Sequence, residues 1–419
     1  MTNILIQPPV GSSLTLNWPN KKIPQTAPSS SFQQTAGSGT TDSHLLFLAD
    51  TKAALVYLNE HFSGRVDLIY LDPPFASQAT YHQRTASGEK IPQYDDHWDD
   101  SRYLQFLLEV LLLLRMLMSD KGTLYLHCDH HHQHHLRMVL DEVFGAKHFM
   151  NHLVWGYKTG GVPEKKGFSK KHDDILVYSK GPNPIFHRQQ QRSYVASLPE
   201  PHTKSGQRLG VHRDTTCELC KTGQPGPKYR MVVCRDVWTD IPSLFRNAPE
   251  RTNYPTQKPE ALLQRIIKTS SDQNSIVLDP FCGSGTTLAA AHALRRRSIG
   301  IDCNPVAIQY SAMRLGSFHR YQQCDLSFKQ CCVTFEQRDG LLVLASYLSA
   351  DQSSSEAQTM ITTIWIEFNP SEDHFRPDVV ERSPVPLSYS IPKTSTSVRI
   401  EVVDVFGSIW QRTLQIKTE

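Results

Sequence analysis

The chain has 419 residues, of which 39% are hydrophobic and 20% are charged, and its formal net charge is +3. This composition excludes a fully disordered chain, and no apolar run reaches the roughly 20 residues that a membrane helix needs. Nine cysteines, an odd number in so long a chain, argue against a disulfide framework and for a reduced compartment. Residues 1–10 lack a basic start followed by an apolar core, so we expect a cytoplasmic protein without a secretory signal.

The positive charge is concentrated in one part of the chain. Between Asn151 and Lys268 there are 20 Lys and Arg residues against 10 Asp and Glu residues, a charge of +10 that leaves −7 for the remainder. Such a region is typical of a face that meets a polyanion. A solvated basic loop region is the alternative.

The first 43 residues are rich in Ser, Thr, Pro, Gln and Gly. We expect a flexible tail (1–43), because such a segment buries too little apolar surface to offset its ordering entropy. From residue 44 onwards, strand-like and helix-like segments alternate, which indicates an α/β sheet with parallel character. The predicted strands are 66–71, 122–127, 152–157 and 174–179, and the predicted helices are 53–61, 103–118 and 133–144.

Residues 181–250 lose this alternation and are rich in Pro, Gly, Gln and Arg. They form either an inserted functional module or a partly disordered stretch. The alternation then returns, with predicted helices 259–269, 286–294 and 305–313 and predicted strands 275–278 and 298–301. After residue 320 the pattern favours a small β-rich appendage (320–419).

The sequence D-P-F-C-G-S-G-T-T, from Asp279 to Thr287, lies between a predicted strand and a predicted helix. Its glycines allow a tight turn and the close approach of a ligand, and the helix amino terminus offers free N–H groups. Asp302 ends the next strand, 23 residues after Asp279, and an acid at that place can accept hydrogen bonds from ribose hydroxyls. The pattern is G-x-G rather than G-x-G-x-x-G, so a nucleotide-like ligand is favoured over a dinucleotide.

A second motif, Asp72-Pro73-Pro74-Phe75, follows the predicted strand 66–71. The amino group of a heterocycle is a poor nucleophile because its lone pair is delocalised into the ring. A carboxylate and a backbone carbonyl that accept its two N–H groups would localise that lone pair. Asp72 and Pro73 offer these acceptors, and Phe75 offers a flat face on which an unstacked base can lie.

Taken together, these motifs resemble those of S-adenosylmethionine-dependent amino-methyltransferases that act on DNA at adenine N6 or cytosine N4. D-P-P-F precedes the cofactor motif by more than 200 residues, a circularly permuted order similar to that of the β group of this family. The resemblance covers about residues 44–315, and further landmarks occur in the family's order: G-T-L-Y-L-H (122–127), H-D-D-I-L-V-Y-S-K (172–180) and Y-P-T-Q-K-P (254–259). It implies a Rossmann-like class I methyltransferase fold with a catalytic half (44–180), a target-recognition region (181–250) and a cofactor half (251–319).

Carried over by position, the resemblance implies that Asp72 and Pro73 hold the target amine and that Phe75 stacks on the flipped base, with Pro74 as a further residue of this catalytic motif. Asp302 and Asn304 would lie at the ribose, and Lys258 would line the pocket from the other side. The remaining cofactor-binding residues implied are Asp279, Pro280, Phe281, Gly283, Ser284, Gly285, Thr286 and Thr287.

In the target-recognition region the resemblance and the basic charge together suggest phosphate contacts. The candidate residues are Arg188, Arg192, Arg208, Arg213, Arg230 and Arg235. Cys217, Cys220, Cys234 and His212 are the right ligand types for zinc, but their spacing fits no standard finger, and free thiols in a loop are the favoured alternative. The six histidines within 127–135 suggest a polar surface, and we expect no metal in the reaction.

The function implied is site-specific methylation of adenine N6 in double-stranded DNA by a bacterial or phage enzyme. Methylation of cytosine N4 at the same site is the alternative, although Asp72 suits the adenine pattern better. Two further alternatives are a DNA-binding subunit without catalysis and a protein-amide methyltransferase, whose motif order would be opposite to this one. A homodimer and a partner restriction endonuclease are also implied by the group.

Overall fold

The computed structural model describes residues 3–11, 14–38, 44–84, 90–157, 168–194, 212–213, 228–245, 248–252, 254–315, 317–326, 332–338, 341–348, 361–370, 377–382, 385–386, 388–404 and 407–416. Six helices lie in this part of the chain: α1 Thr51–Phe62, α2 Asp100–Leu117, α3 Gln133–Phe144, α4 Glu260–Ser270, α5 Thr286–Ala293 and α6 Pro305–Met313. A 3₁₀ turn, Ala146–His148, follows α3. None of these helices is long and apolar enough to cross a membrane.

Strands make up most of the remaining regular structure. In chain order they are β1 Asn3–Leu5, β2 Thr26–Pro28, β3 Phe32–Ser38, β4 His44–Leu48, β5 Val66–Leu71, β6 Thr80–Arg84, β7 Lys90–Asp95, β8 Met118–Cys128, β9 Phe149–Gly156, β10 His172–Ser179, β11 Gln190–Tyr194, β12 His212–Arg213, β13 Lys228–Val233, β14 Val237–Trp238, β15 Ile276–Asp279, β16 Arg297–Asp302, β17 Phe318–Gln323, β18 Cys332–Arg338, β19 Leu341–Leu348, β20 Ile361–Phe368, β21 Val379–Arg382, β22 Ser388–Ser390, β23 Ser397–Asp404 and β24 Ile409–Gln415.

Ten of these strands form one central sheet, in the order β14-β9-β10-β8-β5-β15-β16-β4-β17-β3. The neighbours from β8 to β17 are all parallel, whereas β10 runs antiparallel between β8 and β9, and β3 runs antiparallel at the far edge. Strands β5 and β15 are paired at Leu68↔Val277 and Ile69↔Leu278. The strands that lead into the two motifs are therefore direct neighbours, and the predicted α/β fold is confirmed.

Helices cover both faces of the sheet. On one face α1, α2 and α3 bury apolar residues such as Leu55, Leu111 and Val139 in one core. On the other face α4 and α5 bury Ile266 and Ala290 in a second core. A strand covered on both sides needs apolar residues at almost every position, which explains the near-continuous apolar run of β5.

The chain leaves β5 towards β8 on one side and leaves β15 towards β16 on the other. Because the two connections diverge, a crevice opens at the carboxyl ends of the strands between them. Such a switch point is where open α/β sheets bind their ligands.

The amino-terminal segment differs from the flexible tail that its composition predicts. Phe32–Ser38 pairs with β17 along its length, and Ala36 is fully buried. Lys21 forms a 2.6 Å ion pair with Glu142 of α3. The expectation of flexibility does not hold for these residues, because pairing with a sheet edge supplies backbone hydrogen bonds that a count of apolar residues does not reveal.

The described residues of the inserted and carboxyl-terminal regions form antiparallel sheets. In the insertion, the order is β11-β13-β12, while β14 extends the central sheet. After the cofactor half, two sheets of order β18-β19-β22 and β21-β20-β23-β24 share a core that includes Ile364 and Val402. Strand β17 crosses the expected boundary at residue 320 and belongs to the central sheet.

Candidate active site

A cavity of about 390 Å³ opens at the carboxyl ends of β4, β5, β15 and β16. Asp72 follows β5, Asp279 ends β15 and Asp302 ends β16. These three acids all line the cavity. The fold therefore brings together two motifs that lie more than 200 residues apart in the sequence.

Most of the residues predicted for the site line this cavity. They are Asp72, Pro73, Pro74, Phe75, Lys258, Asp279, Phe281, Gly283, Ser284, Thr286, Thr287, Asp302 and Asn304. Pro280 and Gly285 are not among them. The Pro280 carbonyl accepts a hydrogen bond from Thr51 Oγ1 at 3.2 Å. Gly285 has a φ of +75°, and a Cβ there would lie 2.6 Å from Ser311 Oγ, so it permits close packing behind the turn.

Asp279 is buried beneath the turn that follows β15. Its Oδ2 accepts a hydrogen bond from Thr287 Oγ1 at 2.5 Å, and its Oδ1 accepts one from Phe281 N at 3.1 Å. Burial raises the pKa of Asp279 to about 7 although both hydrogen bonds favour the charged form, and the nearby carboxylates of Asp72 and Asp302 also raise it. This side chain fixes the shape of the turn from its first residue to the start of α5.

Asp302 joins the same turn to the end of β16. Its Oδ2 accepts a hydrogen bond from Gly283 N at 2.9 Å, and its Oδ1 accepts one from Asn304 N at 2.8 Å. Burial raises its pKa to about 6 against these hydrogen bonds. Each carboxylate oxygen can accept a second hydrogen bond, so Asp302 can also bind two hydroxyls of a ligand in the cavity.

On the opposite wall, Asp72 forms an ion pair with Lys258, whose Nζ lies 2.6 Å from Asp72 Oδ2. Asp72 Oδ1 is buried and has no hydrogen-bond partner in the part of the chain that the structure describes. Lys258 Nζ also lies 5.3 Å from the centre of the Phe75 ring. A buried acceptor without a partner is costly, and an N–H group of a ligand would satisfy it.

The loop after Phe75 is held by Asp96, a residue that the sequence analysis missed. Asp96 is buried and accepts hydrogen bonds from Ala76 N at 3.0 Å, from Ser77 N at 2.9 Å and from Ser77 Oγ at 2.6 Å. Ala76 and Gln78 have φ angles of +53° and +56°, which non-glycine residues seldom adopt. The bonds to Asp96 help to hold this backbone, and no local sequence signal marks an acid that acts from some twenty residues away.

The segment before α4, residues 254–258, also lines the cavity. The Tyr254 ring lies 3.3 Å from the position that a Cβ on Gly283 would occupy, so only glycine allows this contact without adjustment. Gln257 Oε1 accepts hydrogen bonds from Thr252 N and Oγ1 at 2.8 and 2.9 Å, a contact that folds the chain just before Lys258. The Y-P-T-Q-K-P landmark contains both Tyr254 and Gln257, but only Lys258 was predicted to line the pocket.

The residues present fit a cofactor that has a base, a ribose and a positive charge. Trp98, Phe106 and Phe281 line the cavity with aromatic rings, and Phe106 packs edge-on against Phe281 at 6.1 Å. Such rings offer apolar faces for a planar base. Asp302 offers acceptors for ribose hydroxyls, and the carboxyl group of Asp279 also lines the cavity. The cavity volume also falls within the range of small-molecule sites.

A model of the DNA methylase family N6_N4_Mtase matches residues 66–313, a stretch that contains both motifs. The chain belongs to this family of DNA methylases. It is 29% identical over 348 residues to the type II methyltransferase M.EcaI of Enterobacter cloacae, covering 70% of this chain and 76% of that one. It is 30% identical over 275 residues to the DNA adenine methyltransferase YhdJ of Escherichia coli (strain K12), covering 65% and 84%. The crystal structure of the M1.HpyAVI–SAM complex is similar at 20% identity and a TM-score of 0.41, covering 64% of this chain and 98% of that one.

Family membership confirms the resemblance that the motifs and their order indicate. The protein is an S-adenosylmethionine-dependent DNA methyltransferase, and its central sheet has the parallel character expected from the sequence. The D-P-P-F motif comes first in the chain and the D-P-F-C-G-S-G-T-T motif second, and residues of both line one cavity.

The DNA methylase has exposed arginines in its insertion, but only part of the insertion is described. Arg188, Arg192 and Arg235 are exposed, and the Arg192 guanidinium lies 4.7 Å from the centre of the Tyr229 ring. The Arg230 side chain is half-buried. Arg208 and the side chain of Arg213 lie outside the described residues, so the predicted phosphate contacts stay predictions.

The structure describes only some of the cysteines and histidines that the sequence suggests as metal ligands. Cys217 and Cys220 lie outside the described residues, as does the His212 side chain, while Cys234 carries a free thiol. In the histidine run, ligand atoms of Asp129, His130 and His131 lie within 4.8 Å of one another. His131 Nδ1 and Asp129 Oδ2 already share a hydrogen bond at 2.6 Å, which accounts for this cluster without a metal.

Proposed function

We propose that the enzyme methylates N6 of adenine at a specific site in double-stranded DNA, with the base turned out of the duplex. The observation that carries this proposal is Asp72 Oδ1, a buried acceptor without a partner among the described residues, at the edge of the cavity that Asp302 and the Gly283 turn also line. The cavity therefore offers an acceptor for an amine N–H beside a pocket that suits the methyl donor.

In the proposed mechanism Asp72 Oδ1 accepts one N–H of the target amine and the Pro73 carbonyl accepts the other. The two bonds localise the nitrogen lone pair and fix its direction. Lys258 binds the other carboxylate oxygen, so that Oδ1 stays turned towards the amine. S-adenosylmethionine, when bound, supplies an electrophilic methyl group on a positively charged sulfur. As it is methylated, the amine nitrogen passes one proton along its hydrogen bond to Asp72 Oδ1 and from there to solvent, so the product base is neutral.

The remaining site residues are proposed to bind and orient the cofactor and the target base. Asp302 would hold the ribose hydroxyls with Asn304 beside it, and the turn around Gly283 would shape the methionine end of the pocket. The other residues proposed for the cofactor pocket are Lys258, Asp279, Pro280, Phe281, Ser284, Gly285, Thr286 and Thr287. Phe75, on the Asp72 side of the cavity, would stack on the flipped base, and Pro74 would keep the motif stiff.

Two observations support adenine over cytosine as the target. The motif begins with Asp72, which suits the adenine pattern that the sequence resembles. The relative YhdJ, with 30% identity, is named a DNA adenine methyltransferase. N4-methylation of cytosine would use the same acceptors and is the outcome that would replace this part of the proposal.

The base assignment is tested by expressing the protein in a host that lacks DNA methylation and quantifying its nucleosides by mass spectrometry. We expect N6-methyladenine, absent from the same host with an empty vector. N4-methylcytosine would keep the mechanism and overturn the assignment to adenine. Neither product, from a protein that binds S-adenosylmethionine in solution, would contradict the proposal.

The cellular setting follows from the same proposal. We infer a bacterial or phage enzyme in the cytoplasm whose insertion (181–250) recognises the DNA site and contacts phosphates with its exposed arginines. A homodimer and a partner restriction endonuclease, which the family resemblance implies, stay predictions. Sedimentation of the purified protein at several concentrations tests the first of them.

A further inference from the structure

Behind Phe75 lies a buried histidine that the proposed mechanism does not use. His127, near the end of β8, is fully buried, and its ring stacks on the Phe75 ring with centroids 5.9 Å apart and planes 24° apart. The Trp155 ring packs against the His127 ring in a T-shaped arrangement, with the two ring centroids also 5.9 Å apart. Phe75 lines the cavity and His127 does not, so the histidine forms a support behind the face that would meet the base.

Both nitrogens of the His127 ring have hydrogen-bond partners. Nδ1 lies 2.8 Å from the Tyr70 hydroxyl, and Nε2 lies 3.1 Å from Asp173 Oδ2. The other oxygen of Asp173 accepts a hydrogen bond from the Tyr157 hydroxyl at 3.1 Å. Tyr70 of β5 and Asp173 of β10 therefore hold the His127 ring in one orientation, and Tyr157, just after β9, holds Asp173 in turn.

The chemistry of Asp173 places a proton on Nε2 of His127. Burial acts to raise the pKa of Asp173, but the hydrogen bond and charge of His127, the charge of Lys258 and the Tyr157 hydroxyl lower it overall. An ionised carboxylate only accepts hydrogen bonds, so His127 Nε2 carries the proton that faces Asp173. Nδ1 is left to pair with the Tyr70 hydroxyl, which can donate or accept a hydrogen bond.

We propose that Asp173 and His127 are positioning residues for the target base, which hold the Phe75 ring at the angle needed for stacking. This inference rests on the proposed function, in which the base lies on Phe75. Without Asp173 the imidazole can rotate, and the Phe75 ring loses its support. The base would still enter the cavity, but its amine would be less well aligned with Asp72, and small errors in alignment are costly in catalysis.

A neighbouring pair provides a matched control. His152 Nε2 lies 2.6 Å from Asp174 Oδ1, and Asp174 is buried. This pair joins β10 to β9, whereas Asp173 and His127 join β10 to β8. Neither member of the control pair contacts Phe75 in any described interaction. Asp174→Asn should therefore destabilise the protein much as Asp173→Asn does, without affecting the alignment of the base.

The test compares Asp173→Ala, Asp173→Asn and Asp174→Asn in kcat, in KM for unmethylated DNA and in the affinity for S-adenosylmethionine measured by calorimetry. A hydrogen bond to a charged group corresponds to about tenfold to a hundredfold in rate. We expect Asp173→Ala to lose kcat by this factor, Asp173→Asn to restore part of it, and Asp174→Asn to stay near wild type. Cofactor affinity should be unchanged in all three.

Phe75→Leu completes a double-mutant cycle, because leucine keeps apolar volume but offers no flat face. If Asp173 acts through Phe75, then Asp173→Ala should have little further effect on kcat in the Phe75→Leu background. Equal losses of kcat for the Asp173→Ala and Asp174→Asn variants, or fully additive losses in the cycle, would overturn the inference. A wild-type enzyme that methylates no DNA would instead contradict the proposed function.

Discussion

Lys258 and Asp72 are 186 residues apart in the sequence, yet Lys258 Nζ lies 2.6 Å from Asp72 Oδ2. The ion pair connects the motif after β5 with the segment before α4, and both residues line the cavity. Only 12% of the lysine side chain and 18% of the aspartate side chain are exposed. The contact is therefore largely shielded from water, and Asp72 Oδ1 has no hydrogen-bond partner among the described residues.

Lys258→Met should impair catalysis more than cofactor binding. Removing one member of a largely buried pair leaves an uncompensated charge, so we expect a loss of about 1–3 kcal/mol in unfolding free energy. We also expect a fall in kcat of at least tenfold because Asp72 is no longer held. Single-turnover methylation and chemical denaturation measure the two effects. Lys268→Met, an exposed change in α4, is the control and should match wild type in both.

Asp302→Asn should weaken the binding of S-adenosylmethionine by about tenfold to a hundredfold, as expected for the loss of a charged hydrogen-bond acceptor. Calorimetry with S-adenosylhomocysteine and its 2′-deoxy analogue separates this effect from damage to the turn, since Asp302 also accepts hydrogen bonds from Gly283 N and Asn304 N. The 2′-deoxy analogue should bind the wild type more weakly than S-adenosylhomocysteine does, whereas the Asp302→Asn variant should bind the two ligands almost equally. The same difference in affinity in both proteins would contradict a contact between Asp302 and the ribose.

The raised pKa of Asp279 predicts how the stability of the protein changes with pH. Its pKa is raised to about 7 by burial, above the ordinary value of an unfolded aspartate. The folded protein therefore binds the proton more tightly than the unfolded chain, so this contribution is fully present below the unfolded pKa and is lost as pH rises towards 7.

Replacing Asp279 should remove this dependence on pH. Between pH 7.5 and 5.5, the wild type should gain about 1–2 kcal/mol in unfolding free energy relative to Asp279→Asn, which has no proton to bind. Urea titrations at the two pH values give the difference. The exposed change Asp325→Asn is the control and should follow the wild type. A difference that does not change with pH would show that burial does not perturb Asp279.

Arg320 and Glu401 attach the carboxyl-terminal sheets to the central one. The guanidinium donates to both carboxylate oxygens at 2.6 Å, and both side chains are almost fully buried. Arg320→Met should cost about 3–5 kcal/mol in unfolding free energy, because the buried Glu401 carboxylate keeps its hydrogen bond from Gln309 but loses its counter-charge. The double variant with Glu401→Leu should recover most of that loss.

An exposed ion pair in the same region provides the comparison for Arg320. Arg338 and Glu336 are about half or more exposed, and such pairs contribute about 0–1 kcal/mol. Arg338→Met should therefore have little effect in the same denaturation experiment. A similar loss for Arg320→Met and Arg338→Met would contradict the idea that the buried pair holds the two parts together.

The sequence predicted those parts of the site that depend on local pattern. The apolar run of β5 followed by D-P-P-F, and the distance from Asp279 to Asp302, are local features that determine where a strand ends and which side chain follows it. Family membership confirms the cofactor and the class of enzyme. The roles of individual residues stay predictions, although the fold brings most of those residues into one cavity.

Other parts could not be predicted because they depend on contacts between distant segments. Nothing near Asp96 indicates that it binds the loop after Phe75, and nothing near Asp173 indicates that it bonds to His127. Similarly, the composition of 1–43 hides the strand Phe32–Ser38, whose partner β17 lies almost 300 residues away. A pattern along the chain reports burial and local turns, but it does not report which edge or which side chain a segment will meet.

The central claim is that Asp72 holds the target amine in a site shared by the two halves of the chain. The most direct measurement compares methyl transfer and DNA binding for wild type and Asp72→Ala, with S-adenosylmethionine affinity as a check on folding. We predict that methyl transfer is lost while DNA binding and cofactor binding remain close to wild type. An Asp72→Ala enzyme that still methylates DNA at the wild-type rate would contradict the account.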